Sequence, residues 1–324
     1  MKTYTVGGLR TLIEEYLASM PYSRQPKGLY DPIEYVLGLG GKRIRPILML
    51  LAYNLYREDI NTILPQAVGL ETYHNHTLLH DDLMDNADMR RGNPTVHVKW
   101  NANTAILSGD AMLILAYRLM NTSLACREVM DEFVEATMQI CEGQQWDMEF
   151  ETRADVTVDE YIEMIRLKTS VLLAAALKIG AMLAGAPASD VDRLYRMGTC
   201  MGLAFQLQDD YLDVYGDVKV FGKNIGGDIL CNKKTYMLIQ ALKKASPEQR
   251  EEMTRWMERT EYEPAEKIKT FTKIYDSLHV GEDCRALVDS YYTEGLSLLA
   301  EMSVPADRLA TLRQYVCSWI KREN

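Results

Sequence analysis

The sequence predicts an all-α fold: a single-domain helical bundle around a central cavity, extending over residues 1–324. Apolar residues recur at spacings of three and four along most of the chain, which is the period of an amphipathic helix. We find no series of short alternating runs with Asn-Gly or Asp-Gly turns, the pattern typical of β-hairpins. Two acidic stretches of the same form, Asp-Asp-x-x-Asp, lie within helical patterns. Long helices in a bundle direct side chains into a central cavity, where metals and ligands bind.

The predicted helices follow one another along the chain. The segments with helical spacing are IEYVLGLG, ILMLLAYNLY, AVGLETYHNHTLLHDDLMD, AILSGDAMLILAYRLM, CREVMDEFVEATMQICEGQQWDMEF, TVDEYIEMIRLKTSVLLAAALKIGAMLAG, ASDVDRLYRMGTCMGLAFQLQDDYLDVYG and TYMLIQALKKA. The segment DVTVDEY contains β-branched residues, but we interpret 155–160 as a cap and a helix start. Breaks are predicted at PYSRQPKGLYD, RRGNPTVH, GAPASD, YGDVKVFGKNIGGDILCNKK and SVPADR.

Composition restricts the class of protein. Apolar residues make up 47% and charged residues 25% of the chain, so a large core can be buried in a soluble protein. The net charge of −10 argues against broad nucleic-acid binding, which needs a basic face. The six cysteines form no CxxC pair, so we expect free thiols in a reduced, cytoplasmic protein. We expect no signal peptide and no membrane span, because charges interrupt every apolar run.

The two acidic stretches, at 81–85 and 209–213, place carboxylates on one helix face. Asp81 and Asp85 are four residues apart, as are Asp209 and Asp213, so each pair lies one turn apart. Like charges at this spacing destabilise a helix, and Mg²⁺ would offset the repulsion. Two solvated acidic surfaces are the alternative interpretation. Because both stretches lie on otherwise apolar helices, we favour a site in which two such helices hold Mg²⁺ and a diphosphate.

Basic residues that could bind this diphosphate lie next to glycines at the ends of predicted elements. A helix that opens at Pro46 would favour an anion at its N-terminus, and arginine suits bidentate phosphate contacts. For a lone lysine, a solvated surface charge is the better interpretation, but the placement of these residues next to glycines at element ends favours binding. The candidates are Lys42, Arg43, Arg45, Arg90, Arg91, Lys168, Lys223 and Lys233.

Four of the five histidines lie between residues 74 and 97. His74, Leu78 and Asp81 follow the helical spacing i, i+4, i+7, so His74 can point toward the site. His80 and His97 are interpreted as core residues with satisfied hydrogen bonds.

Together these residues resemble the trans-polyprenyl diphosphate synthase family. The shared motifs are GGKRIRP, HDDLMD with RRG, GD at 109–110, GQ at 143–144, KT at 168–169, FQLQDDYLD, GK at 222–223 and KKT at 233–235. The resemblance covers about residues 30–240. It implies the all-α isoprenoid-synthase fold, usually a homodimer, and head-to-tail condensation of isopentenyl diphosphate with an allylic diphosphate. It also implies three Mg²⁺ ions in each active site.

The resemblance assigns roles position by position. The Mg²⁺ ligands would be Asp81, Asp82, Asp85, Asp209, Asp210 and Asp213, with Asp213 the least direct. The allylic diphosphate would contact Arg90, Lys168, Lys223 and Lys233. Isopentenyl diphosphate would contact Lys42 or the Gly41 backbone, Arg45, His74 and Arg91. Gln206 and Thr169 would face the reacting carbon and stabilise its cation. The expected catalytic residues are Asp81, Asp82, Asp85, Asp209, Asp210, Lys168 and Gln206.

The resemblance further implies that the growing hydrocarbon runs along the helix that carries the first acidic stretch. Its floor would consist of Tyr73, His76 and Thr77, upstream of Asp81. In the family, bulk at the position of His76 stops the chain. Tyr73 and His76 are bulky, and the two-residue insertion of bacterial farnesyl synthases is missing from the first acidic motif. We therefore expect a short product, geranylgeranyl or farnesyl diphosphate.

Three other functions are compatible with parts of the sequence. A class I terpene cyclase shares one Asp-rich motif and the all-α fold, but its second metal site normally includes Asn, Ser or Thr and Glu. A His/Asp metal-dependent phosphohydrolase could use HNHTLLHDD, yet it would not need the second Asp motif or the GGKRIRP loop. A non-catalytic partner subunit of a heteromeric synthase usually loses metal-binding aspartates, and this chain keeps all six.

Overall fold

The computed structural model describes residues 3–122, 126–216 and 225–320, and it confirms the all-α prediction. The helices are α1 Val6–Ser19, α2 Lys27–Gly38, α3 Ile44–Asn54, α4 Leu64–Met84, α5 Val96–Lys99, α6 Ala102–Met120, α7 Arg127–Thr152, α8 Val158–Ile165, α9 Val171–Leu183, α10 Ala188–Tyr215, α11 Gly227–Leu230, α12 Tyr236–Lys244, α13 Pro247–Glu258, α14 Pro264–Ser277, α15 Val280–Ala300 and α16 Ala306–Ile320. A 3₁₀ turn covers Ile60–Ile63, and a π-helical turn covers Arg166–Ser170.

Two short strands form a hairpin between α4 and α5. β1 is Met89–Arg90 and β2 is Asn93–Pro94, and they pair antiparallel with Met89 opposite Pro94. In the described ranges, no helix is both long enough and apolar enough to cross a membrane.

Side-chain caps explain several helix starts. The Asn101 side chain accepts a hydrogen bond from the Thr104 backbone N–H at 2.8 Å and begins α6. Thr157 caps α8 in a reciprocal arrangement with Glu160, as a capping box requires. The predicted cap and helix start within 155–160 are therefore confirmed.

Some predicted boundaries were wrong. The helix expected to open at Pro46 begins two residues earlier, at Ile44, because Arg43 adopts a left-handed conformation with φ of 50° and serves as its N-cap. The single helical pattern that starts at Thr157 is interrupted by the π-helical turn at Arg166–Ser170. A π turn adds one residue to a helix and disturbs the apolar spacing too little to be recognised in the sequence.

Contacts divide the chain into two compact units. The first comprises Met1–Val134, Ala175–Asp192 and Ser303–Leu312; the second comprises Glu135–Ala174, Arg193–Met302 and Arg313–Asn324. The expectation of one domain over 1–324 stays a prediction.

In the first unit, α4 is the central element. It packs most extensively against α6, and also against α3, α1 and α2. Val68 and Leu70 are fully buried, and Gly69 lets the backbone of α6 come close, because a Cβ there would lie 3.1 Å from the Ala116 carbonyl oxygen. The buried part of α4 thus fixes the position of its C-terminal turn, which carries the first acidic stretch.

In the second unit, α15 packs along the C-terminal half of α10. The Cys284 thiol donates to the Leu207 carbonyl oxygen at 3.5 Å, and the Tyr292 hydroxyl donates to the Gln208 side chain at 3.3 Å. Leu207 is fully buried. This packing fixes the rotation of α10 about its axis, and therefore the directions of the aspartates of the second acidic stretch.

Candidate active site

The first acidic stretch lies where α4 ends. Asp81 and Asp82 occupy the last turn, and Asp85 is the C-cap residue, whose backbone N–H donates to the Asp81 carbonyl at 2.9 Å. The predicted one-turn spacing of Asp81 and Asp85 is therefore kept. The C-terminus of a helix carries partial negative charge, so three carboxylates at this end need nearby cations.

Arg90 supplies one of those cations. Its Nη2 lies 2.6 Å from Asp82 Oδ1 and 3.7 Å from Asp81 Oδ2. Burial raises the pKa of Asp82, while the hydrogen bond and charge of Arg90 act in the opposite direction. The hairpin β1–β2 presents Arg90 here, and its turn contains Arg91 and Gly92 at φ of 52° and 73°. The Thr95 hydroxyl ties this hairpin to the end of α4 by donating to the Ala87 carbonyl at 2.7 Å.

Arg91, the neighbour of Arg90, points toward the loop before α3. It donates to the Gly40 carbonyl and lies 3.4 Å from the Asn75 Oδ1 atom. Gly40 and Gly41 have φ of 74° and 145°, a conformation that disfavours a side chain. A Cβ at Gly41 would lie 3.1 Å from the Arg91 guanidinium carbon, so the glycine lets the arginine lie against the loop. Lys42 follows as an exposed residue of the same loop.

Arg45 and His74 form a half-buried pair beside this loop. Arg45 Nη1 lies 3.0 Å from His74 Nε2. Burial lowers the pKa of His74 well below its usual value, and the charges of Arg45 and Arg91 lower it further, so the imidazole is neutral and can accept the hydrogen bond. The buried Arg45 Nε has no hydrogen-bond partner in the structure. A buried, unpaired N–H beside further arginines is suited to an anionic ligand.

Arg43 has a structural role, which corrects its assignment as a diphosphate ligand. Its guanidinium donates to Glu14 at 2.8 Å, to Glu71 at 2.9 Å and to the Leu37 carbonyl at 2.7 Å. It is 2% exposed. These acceptors, with a second bond from Nη2 to Glu14, engage four of its five N–H groups, so the guanidinium is committed to contacts within the protein.

The second acidic stretch lies in the last two turns of α10. Asp210 is buried, with Oδ2 accepting from the Tyr161 hydroxyl and Oδ1 accepting from Gln206 Nε2 at 3.2 Å. Burial raises the pKa of Asp210 to about 7, and the nearby Asp228 charge acts in the same direction, whereas both hydrogen bonds oppose it. Asp209 is half-buried. The carboxylate of Asp210 is thus oriented by two neutral donors.

Asp213 anchors the segment that follows the helix. Its Oδ2 accepts the Asp228 backbone N–H at 3.0 Å, and its backbone carbonyl accepts from Gly226 at 2.6 Å. One carboxylate oxygen is therefore engaged by the main chain. The expectation that Asp213 is the least direct of the six candidate ligands stays a prediction.

The π-helical turn carries Lys168 and Thr169. Lys168 Nζ lies 2.6 Å from Asp147 Oδ2, and the Thr169 hydroxyl donates to Gln206 Oε1 at 3.3 Å. Although burial raises the pKa of Asp147, the charges of Lys233 and Lys168 lower it to a net value below the usual one. Lys223, the remaining candidate, lies outside the described residues.

Two of the three predicted floor residues, Tyr73 and His76, belong to a column of rings in the first unit. The Tyr73 ring lies 5.6 Å from those of His76 and Phe133, and His76 lies 4.6 Å from His80. Burial lowers the pKa of His76 to about 4. Thr77 does not join the column, since its hydroxyl donates to the His74 carbonyl at 2.8 Å.

His80 and His97 have the hydrogen bonds expected of packed residues. His80 Nε2 lies 3.1 Å from the Ile106 carbonyl oxygen, and His97 Nδ1 lies 3.2 Å from the Thr95 hydroxyl. The His80 ring rests on Gly109, where a Cβ would lie 2.1 Å from Nε2. This contact explains why the first residue of the GD motif at 109–110 is a glycine.

Within the described residues, no group of three or more His, Cys, Asp or Glu side chains is arranged to hold a metal ion. Carboxylate oxygens are nevertheless the ligands that Mg²⁺ prefers, and it commonly uses one or two of them together with substrate phosphates and water. The donor chemistry at 81–85 and 209–213 fits that mode.

Sequence reasoning missed several residues of the site. Glu71, Asn75, Asp147, Tyr161 and Asp228 all contact or influence predicted site residues. One-turn helical spacing could have indicated two of them. Asn75 lies one turn after Glu71 on α4, and Asp147 lies one turn after the glycine of the GQ motif on α7.

Comparisons with known proteins show which proteins this chain is similar to. A family model described as polyprenyl synthetase matches residues 26–275. A geranylgeranyl diphosphate synthase of Methanosarcina mazei is 43% identical over 229 residues, covering 69% of this chain and 70% of that protein. A short chain isoprenyl diphosphate synthase of Methanothermobacter thermautotrophicus is 42% identical over 231 residues, covering 70% and 71%. A crystal structure of a geranylgeranyl pyrophosphate synthase superposes with a TM-score of 0.92 at 40% identity, covering 99% of this chain and all of that one.

Proposed function

This chain belongs to the polyprenyl synthetase family, and from that membership we infer that it is a short-chain trans-prenyltransferase. It condenses isopentenyl diphosphate with an allylic diphosphate, and the proposed product is geranylgeranyl or farnesyl diphosphate. The observation that carries the proposal is that a basic side chain acts on each Asp-Asp-x-x-Asp set. Arg90 lies 2.6 Å from Asp82 of the first set, and the charge of Lys233 acts on Asp210 of the second, lowering its pKa against the effect of burial.

We propose that the six aspartates hold three Mg²⁺ ions: Asp81, Asp82, Asp85, Asp209, Asp210 and Asp213. When bound, Mg²⁺ supplies Lewis-acid neutralisation of the allylic diphosphate as it leaves. Arg90, Lys168, Lys223 and Lys233 bind the oxygens of that diphosphate. Arg90 bonds to Asp82 through Nε and Nη2, and the other N–H groups of its guanidinium can donate to a phosphate oxygen.

The second substrate, isopentenyl diphosphate, is proposed to bind the loop before α3, which carries the motif GGKRIRP and is called the arginine-rich loop below. Arg45 and Arg91 provide positively charged donors, His74 lies beside Arg45, and the Gly41 backbone or Lys42 completes the pocket. The unpaired Arg45 Nε supports this assignment, because a diphosphate oxygen would satisfy it.

The reaction follows from these contacts. Neutralising the leaving diphosphate allows the allylic C–O bond to ionise, and the isopentenyl double bond attacks the resulting cation. Thr169 and Gln206 contribute their side-chain dipoles to stabilise that cation. A proton then leaves, and the departed diphosphate is the proposed acceptor. Tyr73 and His76 form an apolar wall that keeps water away from the hydrocarbon.

The rival functions are less well supported. The relatives named above are synthases of prenyl diphosphates, which disfavours a phosphohydrolase and a terpene cyclase. A non-catalytic subunit is disfavoured because all six aspartates are present.

We also propose that the enzyme is a homodimer. Helix α6 exposes Ile106, Leu107 and Ile114 at 47%, 60% and 70%, which is unusual for large apolar side chains. A second copy of the chain would cover them. A cytoplasmic location stays a prediction from the pattern of cysteines.

The proposed reaction is tested by incubating the protein with Mg²⁺, labelled isopentenyl diphosphate and each of dimethylallyl, geranyl and farnesyl diphosphate. After dephosphorylation, chromatography of the prenols measures product length. We expect label in a prenol longer than the primer, and none when the metal is chelated. Folded protein that transfers no label to any primer would contradict the proposal.

Asp81→Ala should reduce turnover by several orders of magnitude, because a carboxylate that acts in the transition state is lost. Single-turnover rates at saturating Mg²⁺ measure the effect. Asp88→Ala, at an exposed carboxylate just past the stretch, is the control and should leave the rate close to that of the wild type. A nearly normal rate for the Asp81 variant would remove this residue from the catalytic set.

A further inference from the structure

The π-helical turn that carries Lys168 and Thr169 lies against two helices of the same unit, and each presents a glycine. A Cβ added at Gly143 on α7 would lie 2.4 Å from the Lys168 backbone nitrogen. A Cβ added at Gly202 on α10 would lie 2.5 Å from the Ser170 Cα. Because Cβ atoms do not approach other atoms so closely, the turn can sit at its present depth only with glycine on both helices.

Each of these helices also holds one side chain of the turn. Asp147, four residues after the glycine of α7, lies 2.6 Å from Lys168 Nζ. Gln206, four residues after the glycine of α10, accepts the hydrogen bond of the Thr169 hydroxyl. Residues four apart share a helix face. The close backbone contact and the side-chain contact are therefore made by the same face of each helix.

Asp147 is held as an anion beside Lys168. The charges of Lys233 and Lys168 lower the pKa of Asp147, and together they outweigh the effect of burial. The motif GQQWD therefore supplies both a close approach to the π turn and the anionic partner of Lys168.

We propose that Asp147 is a positioning residue for Lys168, and that Gly143 sets the depth of the π turn at which Asp147 reaches Lys168. This inference rests on the proposed function, which assigns Lys168 to the allylic diphosphate. Lysine carries a strongly hydrated charge on a flexible stem. Holding such a group in place beforehand reduces the freedom that is lost when the diphosphate binds.

The test begins with Asp147→Asn, which keeps the size of the side chain and removes its charge. We expect the KM for the allylic diphosphate to rise about tenfold and kcat to fall, as for other residues that orient a ligand-binding group. The KM for isopentenyl diphosphate should not change, and circular dichroism and Tm should stay close to those of the wild type. Asp147→Glu, which restores the charge, should recover part of the loss.

The matched control is Glu149→Gln, the same chemical change at an exposed carboxylate of α7. It should leave both KM values at those of the wild type. If Asp147→Asn has the same kinetics as this control, or if both KM values rise together, the positioning role is wrong.

A binding measurement separates this inference from the proposed reaction. Calorimetric titration with inorganic diphosphate and Mg²⁺ needs no turnover, and we expect weaker binding to Asp147→Asn than to the wild type. If Asp147→Asn binds diphosphate more tightly than the wild type, Asp147 only repels the anion and the proposal is wrong. Equal affinities of the two proteins, or no binding to either, would also overturn it. A wild-type protein that makes no longer prenol would overturn the proposed function, while this comparison still decides the role of Asp147.

The glycine is tested by Gly143→Ala, with Gly28→Ala on α2 as its control. A Cβ at Gly28 meets no atom within 4 Å. We expect Gly143→Ala to show the same selective rise in the KM for the allylic diphosphate and Gly28→Ala to show none. Wild-type kinetics for Gly143→Ala would remove the glycine from the proposal. If that variant does not fold, the Asp147 variants still decide the positioning role.

Discussion

Arg43 and Glu71 form a buried ion pair beneath the arginine-rich loop, with side chains 0% and 2% exposed. Their partners are far away in sequence: Arg43 is 28 positions from Glu71 and 29 from Glu14. The motif GGKRIRP therefore could not reveal which of its basic residues serves the fold. The sequence could show that this motif is rich in basic residues. Which arginine stabilises the fold and which could serve a substrate depends on tertiary contacts.

Arg43→Met should lower the free energy of unfolding by about 3–5 kcal/mol, because it leaves the buried Glu71 carboxylate without its cation. Denaturant titration measures the loss. Arg10→Met, at an exposed position of α1, is the control and should change stability by less than about 0.5 kcal/mol. An equally small change for Arg43→Met would mean that water or a rearranged side chain satisfies Glu71.

His76 should make stability depend on pH. Its pKa is about 4 in the folded protein and 6.5 in an unfolded chain. Between these values the unfolded chain binds a proton that the folded chain does not, so stability falls as the pH drops below 6.5 and levels off near 4. At pH 5 this difference corresponds to about 2 kcal/mol.

The measurement is the free energy of unfolding at pH 7 and pH 5 for the wild type and for His76→Phe, which keeps an aromatic ring but cannot bind a proton. We expect a smaller loss of stability on acidification in the variant. His279→Phe, at an exposed histidine, is the control and should keep the wild-type dependence. Identical dependences for the wild type and His76→Phe would contradict the buried, neutral state of His76.

At the scale of elements, the helices that carry both acidic stretches were predictable because their apolar spacing continues through the aspartates. An element that disturbs the apolar spacing only locally could not be predicted, and the π turn at Arg166–Ser170 is one example. The helices after residue 245, namely α13, α14, α15 and α16, were not predicted either. Their exposed faces carry many charges, which weakens the apolar period.

We expect product length to depend on α4. Tyr73 and His76 lie on its buried face with their rings 5.6 Å apart, and the Tyr73 ring also lies 5.6 Å from that of Phe133. Replacing both Tyr73 and His76 by Ala opens space one and two turns upstream of Asp81. We expect longer prenols from this variant, sized by chromatography after incubation with farnesyl diphosphate.

The control for that experiment is Tyr53→Ala, a change of a buried tyrosine on α3 in the same unit. Both variants lose packing, so their stability is compared first. Only the α4 variant should change product length. An unchanged product would mean that the floor lies elsewhere on the chain.

At the scale of the whole molecule, assembly was an implication of the resemblance. The structure adds an exposed apolar surface that a sequence alone could not identify, because helical periodicity places apolar residues on a face without telling whether that face is covered. Leu107 and Ile114 are seven residues apart on α6, so they lie on the same side two turns apart.

Ile114→Glu should therefore convert the proposed dimer to a monomer, because a charge would be buried in the interface. Sedimentation velocity over a range of concentrations measures the mass. Ala265→Glu, the same new charge at an exposed position of α14, should leave the mass unchanged. A monomeric wild type would contradict the dimer, and a dimeric Ile114→Glu would exclude this surface as its interface.

The C-terminal half of α10 places three functions at successive turns: Gly202 against the π turn, Gln206 on Thr169, and Asp210 with Tyr161. Inserting or deleting one residue between any two of them would rotate the next by about 100° around the helix axis. The affected group would then face away from its partner. Evolution can lengthen or shorten this protein in the segments that join its helices, but the eight residues after Gly202 can change only by substitution, never in number.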